Sequence, residues 1–173
     1  LVFSKSSTQV RVLFRAYNEG AAYCYQLLGT GTAGITGEAS SYALPANSTF
    51  WTMPPHGPYE ELWRQTTGSV TGNLTFPALA RTPGNLYVLM AEAGVYGTYC
   101  TNSLSPSGST FRVILPQSQV NATLPWTSPW RVAVVGSLAT IVDHTQELVE
   151  NLNPPYEITD VSWIKPGRVA WSW

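Results

Sequence analysis

Charge is scarce in this chain of 173 residues. Charged side chains make up 11%, lysine occurs only at positions 5 and 165, and the formal net charge is −1. So few cations cannot form the basic stripe that neutralises phosphates, so neither nucleic acid nor an anionic membrane surface is an expected partner. No run of about 18 apolar residues occurs, which excludes a transmembrane helix. Histidine and cysteine are equally rare, two of each. His56 and His144 stand far apart, and no H-E-x-x-H or C-x-x-C spacing offers a zinc site. No G-x-S-x-G marks a serine hydrolase. Cys24 and Cys100 allow either one disulfide or two buried thiols, and the sequence does not choose between them. The first residues, "LVFSKSSTQV", lack an initiating Met and a signal-peptide apolar core. The last residues carry two indoles, Trp171 and Trp173, which want a core or a partner over them. The chain is therefore expected to be a fragment, cut at both ends.

What the chain has in quantity is turn formers and β formers. Gly 14, Pro 13, Trp 7 and Tyr 9, with many Thr and Ser, favour short strands joined by tight loops. "TQVRVLFRAY" alternates Val10, Val12, Phe14 and Ala16 against polar residues, which predicts a strand with that face buried. "NEG" then turns into "AAYCYQLL", predicting a hairpin over 8–28. "SSYALPA", "STFWTM", "NLYVLMAEA", "TFRVILP" and "WRVAVVGS" read as further strands. Only "DHTQELVENL", 143–152, has a helical pattern. Strands every ten to fifteen residues predict a mostly β chain, an antiparallel β-sandwich. "RVAWSW" at the C-terminus also reads as a strand.

Each motif has a plain structural alternative. "GTGTAG" at 29–34 fits the dinucleotide fingerprint, but no helical period follows it to aim at a pyrophosphate, so it is expected to be a flexible loop. Glu60 and Glu61 are adjacent and would face opposite sides of a strand. Glu147 and Glu150 share a helix face that is ordinarily solvated. Glu92 differs, because it sits in the apolar run "YVLMAEAGVY" and there needs a cation, a hydrogen-bond partner or water. The plain alternative is an outward residue on an edge strand. Trp51, Tyr59, Trp63, Trp126, Trp130 and Trp163 fall near strand ends and Pro-rich loops. They suit either sugar stacking or, for most of them, the core and rims of a sandwich. Three N-x-[ST] sequons, at Asn47, Asn73 and Asn121, are candidate glycosylation sites and point to a secreted, extracellular chain, with a periplasmic one as the alternative.

The stretch from Thr127 onward carries the most specific pattern. "TSPWRVAVVG", "LVENLNPP" and "DVSWIKPGRVAWSW" resemble the closing part of the N-terminal domain of glycoside hydrolase family 97. "FRAYNEGAAYCYQL", "YEELW" and "NLYVLMAEAGVYGTY" resemble successive strands of the same domain, in the same order. The resemblance implies a galactose-mutarotase-like super-sandwich over 1–160, incomplete at both ends. A linker and the first strand of a (β/α)₈ catalytic barrel would follow over 161–173. It implies an α-glucosidase or α-galactosidase as parent protein, with an oligosaccharide substrate and with its acid and base carboxylates on the barrel. No catalytic residue is therefore assigned within this chain. It also implies calcium, held by glutamates near the catalytic acid with one ligand from the N-terminal domain, and "AEAGVY" matches Glu92 to that ligand. Glu92 is then expected at a surface facing the barrel. On this reading the chain is a carbohydrate-binding or structural domain that packs on its own barrel and supplies a calcium ligand. The alternative, from a different class, is a stand-alone carbohydrate-binding β-sandwich without catalysis.

Overall fold

Period-two alternation is realised over half a dozen apolar segments, which pair into two antiparallel sheets. The computed structural model describes residues 1–5, 8–57, 60–95, 102–153 and 158–171. The strands are β1 (Val2–Lys5), β2 (Thr8–Tyr17), β3 (Gly20–Ile35), β4 (Ser41–Ala43), β5 (Thr49–Thr52), β6 (Arg64–Thr67), β7 (Leu74–Thr75) and β8 (Ala78–Arg81). They continue with β9 (Tyr87–Ala93), β10 (Ser103–Ser107), β11 (Thr110–Ile114), β12 (Val120–Thr127) and β13 (Trp130–Gly136), and the chain then forms helix α1 (Leu138–Leu152). The larger sheet runs β1-β2-β3-β13-β9-β8-β5-β6, with β12 also paired to β3, and the smaller runs β4-β11-β10-β7.

The larger sheet is covered on both faces, so its central strands are apolar on both sides. Met90, Ala78, Ala80 and Phe50 meet Leu74, Leu104, Phe111 and Val113 of the smaller sheet, the Phe50 and Phe111 rings lying 4.9 Å apart. On the opposite face Ala22, Ala91, Ala93, Val132 and Val134 pack against Ile141, Leu148 and Leu152 of α1. Small residues on the strands let the helix approach closely. Burying each large side chain in these layers contributes on the order of 1.5–3 kcal/mol.

The helix starts earlier than its polar half suggests. Ser137 caps it, its Oγ accepting from the Thr140 N–H at 3.1 Å, which satisfies one of the free N-terminal donors. Ile141 is buried, so packing brings the β-branched residues of 138–142 into the helix despite their propensity.

Three other expectations need correction. The glycine-rich stretch 29–34 is strand, because β12 supplies a full antiparallel partner, from Val120 opposite Ile35 to Leu124 opposite Gly31. Gly29 and Gly31 lie at φ +125° and +87°, where only glycine fits easily, so β3 bends without breaking. Phe14 and Ala16 are exposed, Phe14 by 64%, because the smaller sheet does not extend over that end of β2. Residues 164–171 form no strand and are exposed, as expected of a segment with no neighbour to share its ladder.

One backbone approach is decisive for the hairpin. A Cβ on Gly20 would stand 2.2 Å from the Ala133 carbonyl oxygen. The turn from β2 into β3 therefore needs glycine there so that β13 can pair alongside.

Candidate functional site

The centre of the larger sheet holds a guanidinium. Arg131 lies on β13, and the register places it directly between Tyr23 of β3 and Glu92 of β9. These side chains share the face that looks toward the smaller sheet, since Met90, two residues before Glu92, lies in that core. Arg131 donates Nη1 to Glu92 Oε1. It also forms a two-pronged contact with Glu38, Nε to Oε1 at 2.7 Å and Nη2 to Oε2 at 2.6 Å. Glu38 arrives on the segment that follows β3. Asn102, just before β10, donates Nδ2 to Glu92 Oε1 at 2.5 Å and its backbone N–H to Oε2 at 3.3 Å.

The array is buried. The side chains of Arg131, Glu38 and Glu92 are 0%, 8% and 4% exposed. Taking carboxylates out of water costs several kcal/mol each unless they are paired. Burial pushes the Glu92 carboxyl above its ordinary range, while Arg131 and then Asn102 pull it back. Two carboxylates share one guanidinium, so the three charges sum to −1.

Glu92 thus differs from both expectations raised by the sequence. It is not on an edge strand, because β9 lies between β13 and β8. It is not at a surface either. Its immediate partner is an arginine of its own sheet, hidden in the sequence inside the most apolar strand. Arg131 and Glu38 are the site residues that sequence reasoning passed over. The one available signal was a lone Arg in "WRVAVVGS", which had to have a buried counter-charge.

The array does not suit glycoside cleavage, although it contains two carboxylates. Acid and base must flank a glycosidic bond with room for a sugar and, in inverting enzymes, a water. Here a guanidinium fills the space between them.

The two oxygens of Glu92 are unequally served. Oε1 already accepts two short bonds, whereas Oε2 carries one long contact and keeps acceptor capacity. Calcium takes six to eight oxygens, and among the described residues no three His, Cys, Asp or Glu side chains converge as a metal-holding group. This chain's described residues therefore offer a single side-chain ligand, not a complete site. Glu92 also forms part of the wall of a recess of about 340 Å³ with Phe76, Pro77, Leu89, Ala91, Thr145 and Val149.

On the other side of the array, Glu38 borders a cavity of about 250 Å³ lined mainly by Val10, Tyr25, Leu27, Ile35 and Trp126. The Tyr25 hydroxyl pairs with Ser40 Oγ at 3.0 Å. Of the remaining aromatics, Trp51 stacks on Tyr87, and Arg15 sits 5.0 Å over the Trp130 ring. Trp63 and Trp163 are exposed, and Tyr59 lies outside the described residues. Trp130 packs, partly buried, against the α1-facing core, and Trp51 and Trp126 are half-buried, so these three fall on the rims rather than at the centre of the sandwich. His144 lines a solvated recess of about 540 Å³ between the β2–β3 turn and α1, with Glu19, Glu147 and Asn151, and His56 is exposed. Cys24 is a buried free thiol whose pKa burial raises to about 11; Cys100 lies outside the described residues. Asn47, Asn73 and Asn121 are all exposed.

The described residues thus form a helix-backed, two-sheet β-sandwich with a buried charge array at its centre. The family profile described as "Glycosyl-hydrolase 97 N-terminal" matches residues 1–155, and the chain belongs to that family. It is 32% identical over 166 residues to a probable retaining alpha-galactosidase of Streptomyces bingchenggensis, covering 94% of this chain and 26% of that protein. It is 25% identical over 201 residues to the retaining alpha-galactosidase of Bacteroides thetaiotaomicron, covering 94% of this chain and 30% of that protein. A glycoside hydrolase family 97 enzyme of Pseudoalteromonas sp. strain K8, solved with acarbose, superposes with a TM-score of 0.82 at 24% identity, over 92% of this chain and 26% of that one. A beta-arabinopyranosidase structure superposes with a TM-score of 0.77 at 26% identity, over 88% and 29%. The chain thus spans about a quarter to a third of the length of the proteins it matches.

Proposed function

We propose that this chain is the N-terminal domain of a secreted α-glycoside hydrolase, that it packs on a (β/α)₈ catalytic barrel, and that it contributes Glu92 Oε2 to a calcium ion. Its substrates are oligosaccharides with α-linked galactose or glucose. The two α-galactosidase relatives favour galactosides. What supports the calcium part is the charge balance: Arg131 offsets one of two buried carboxylates, and Glu92 Oε2 carries one long contact. Exposed sequons support secretion, since a glycan needs an accessible asparagine.

In this mechanism the domain does no bond-breaking. The protonated acid and the second carboxylate that hydrolysis requires come from the barrel. Calcium, when bound, supplies positive charge beside those acids and biases their protonation. Arg131 fixes the rotamer of Glu92 and opposes the upward push of burial on its carboxyl, and Asn102 fixes the second edge of the carboxylate. The Phe50–Phe111 core holds the two sheets in register, so that β9 and β13 present Glu92 at a constant place.

The test is hydrolysis of aryl α-galactosides and α-glucosides by the full-length protein, before and after metal removal. Turnover that falls on chelation and returns with calcium is expected. No turnover of either substrate would overturn the enzymatic reading, and full activity in chelator would overturn the calcium part.

A second reading, the stand-alone carbohydrate-binding module, is favoured by one feature, the Trp126–Tyr25 cavity beside Glu38. An indole face with a fixed carboxylate suits a pyranose ring. Binding of galactose or glucose oligosaccharides by residues 1–173 alone, lost in Trp126→Ala, would favour it.

A further inference from the structure

The cavity beside Glu38 is built from one row of the larger sheet and the loop that closes over it. Val10, Leu27 and Trp126 stand opposite one another on β2, β3 and β12, and Tyr25, two residues before Leu27, shares their face. The loop after β3 brings Glu38 back to this row. Its neighbours Gly37 and Ala39 are exposed, whereas the Glu38 side chain is 8% exposed, so the carboxylate is turned inward. We propose that this cavity of about 250 Å³ binds a small organic ammonium ion, with the cationic head on Glu38 and the apolar body against Leu27, Ile35 and Trp126. Such a site is independent of calcium, and its ligand differs from the sugar of the second reading above.

Three observations select a cation. Each Glu38 oxygen accepts one bond from Arg131, at 2.7 and 2.6 Å, and an ionised carboxylate offers about four acceptor positions. Both oxygens therefore keep capacity for a further donor. Arg131 is shared with Glu92, so it offsets the charge of Glu38 only in part, and among the described residues no Lys, Arg or His lines the cavity. The other polar groups of the wall are already engaged. Ser128 Oγ accepts from the Tyr25 N–H and donates to the Pro129 carbonyl oxygen, both at 2.9 Å, and the Tyr25 hydroxyl pairs with Ser40.

The cavity thus presents one anionic group among apolar and aromatic walls, the composition of a small-molecule site oriented by a single polar contact. An ammonium matches it in each part. The carboxylate accepts a charge-assisted hydrogen bond, aromatic walls attract a desolvated cation, and the apolar body displaces water from Leu27 and Ile35. A metal ion does not match, because a hard cation takes about six to eight oxygens and the described wall supplies one carboxylate. A neutral ring of the same shape gains the apolar contact but leaves the anion unserved.

The experiment is calorimetric titration of the full-length protein with cyclohexylammonium, and with cyclohexanol as a neutral ring of similar shape. Thermal melts check that each variant is folded. Wild type is expected to bind the cation, and to bind cyclohexanol about 10–100-fold more weakly, as befits the loss of one charged hydrogen bond. Glu38→Gln is expected to weaken the cation by the same factor and to leave cyclohexanol unchanged. Trp126→Leu keeps an apolar wall but removes the ring, and is expected to weaken the cation about 2–30-fold. Cyclohexanol bound as tightly as the cation, or cation affinity unchanged in folded Glu38→Gln, would overturn the proposal. Tighter binding of Nα-acetyl-lysine amide would assign the cavity to a protein side chain and overturn the small-molecule ligand. Wild type that binds no ammonium would overturn it too, and Trp126-dependent binding of galactose or glucose would then leave the second reading standing. If Glu38→Gln does not fold, the wild-type preference between the two rings and Trp126→Leu decide.

Discussion

Replacing Arg131 by methionine isolates the energetic role of the buried array. Methionine matches the aliphatic stem and leaves a small cavity, so packing loss is minor and the charge effect dominates. The change removes three hydrogen bonds to carboxylates, two to Glu38 and one to Glu92. It leaves both acids almost fully buried, at 8% and 4% exposure, without a counter-ion. Asn102 still serves Glu92, while Glu38 loses both bonds of its arginine fork. Removing one partner of a buried pair costs about 3–5 kcal/mol, against a total stability of about 5–15 kcal/mol for a typical domain. The assay is urea denaturation of residues 1–173 followed by tryptophan fluorescence, with linear extrapolation. The expected loss is about 3–5 kcal/mol, and most of it should return when Glu38→Gln and Glu92→Gln are added, because neither acid is then left charged. A loss under about 1 kcal/mol in the single variant, the size of a surface pair, would refute the reasoning.

Three further outcomes follow from the same structure. Gly20→Ala would push a methyl to 2.2 Å from the Ala133 carbonyl oxygen, so urea denaturation should show a loss of about 1–3 kcal/mol, typical of overpacking. Cys24, fully buried with its pKa raised from 9.0 to about 11, should resist alkylation at pH 8 in a Cys100→Ser background until urea unfolds the chain. Because the unfolded thiol gives up its proton first, stability should be intact below pH 9 and fall as pH rises toward 11; a flat profile in that window would contradict it. Residues 1–173 alone should not hydrolyse aryl α-galactosides or α-glucosides, since the described residues provide no acid–base pair around a substrate-sized space, and clear turnover by the purified chain would contradict this.

The strands with clean alternation were legible: "NLYVLMAEA" and "WRVAVVGS" became β9 and β13, and the hairpin over 8–28 became β2 and the first part of β3. The extension of β3 through Gly29–Gly34 was not, because glycine carries no pattern and the decision lay with β12, some ninety residues away. The first turn of α1 was hidden because the helical pattern was clear only over 143–152, and its helical state depends on the Ser137 cap and on packing against β9 and β13. At the site, the sequence marked Glu92 as an acid out of place, which was right in physics. It could not show that the counter-charge was Arg131, because that depends on the β9–β13 register. Nor could it show Glu38, which reaches the array from a loop and follows no periodicity.

The most direct measurement is a crystal structure of the full-length enzyme grown with calcium, with anomalous data to identify the ion. The expected result is a calcium peak within about 2.6 Å of Glu92 Oε2, with Arg131 still bridging Glu92 and Glu38. A calcium ion bound elsewhere, with Glu92 held by Arg131 and Asn102 alone, would contradict it.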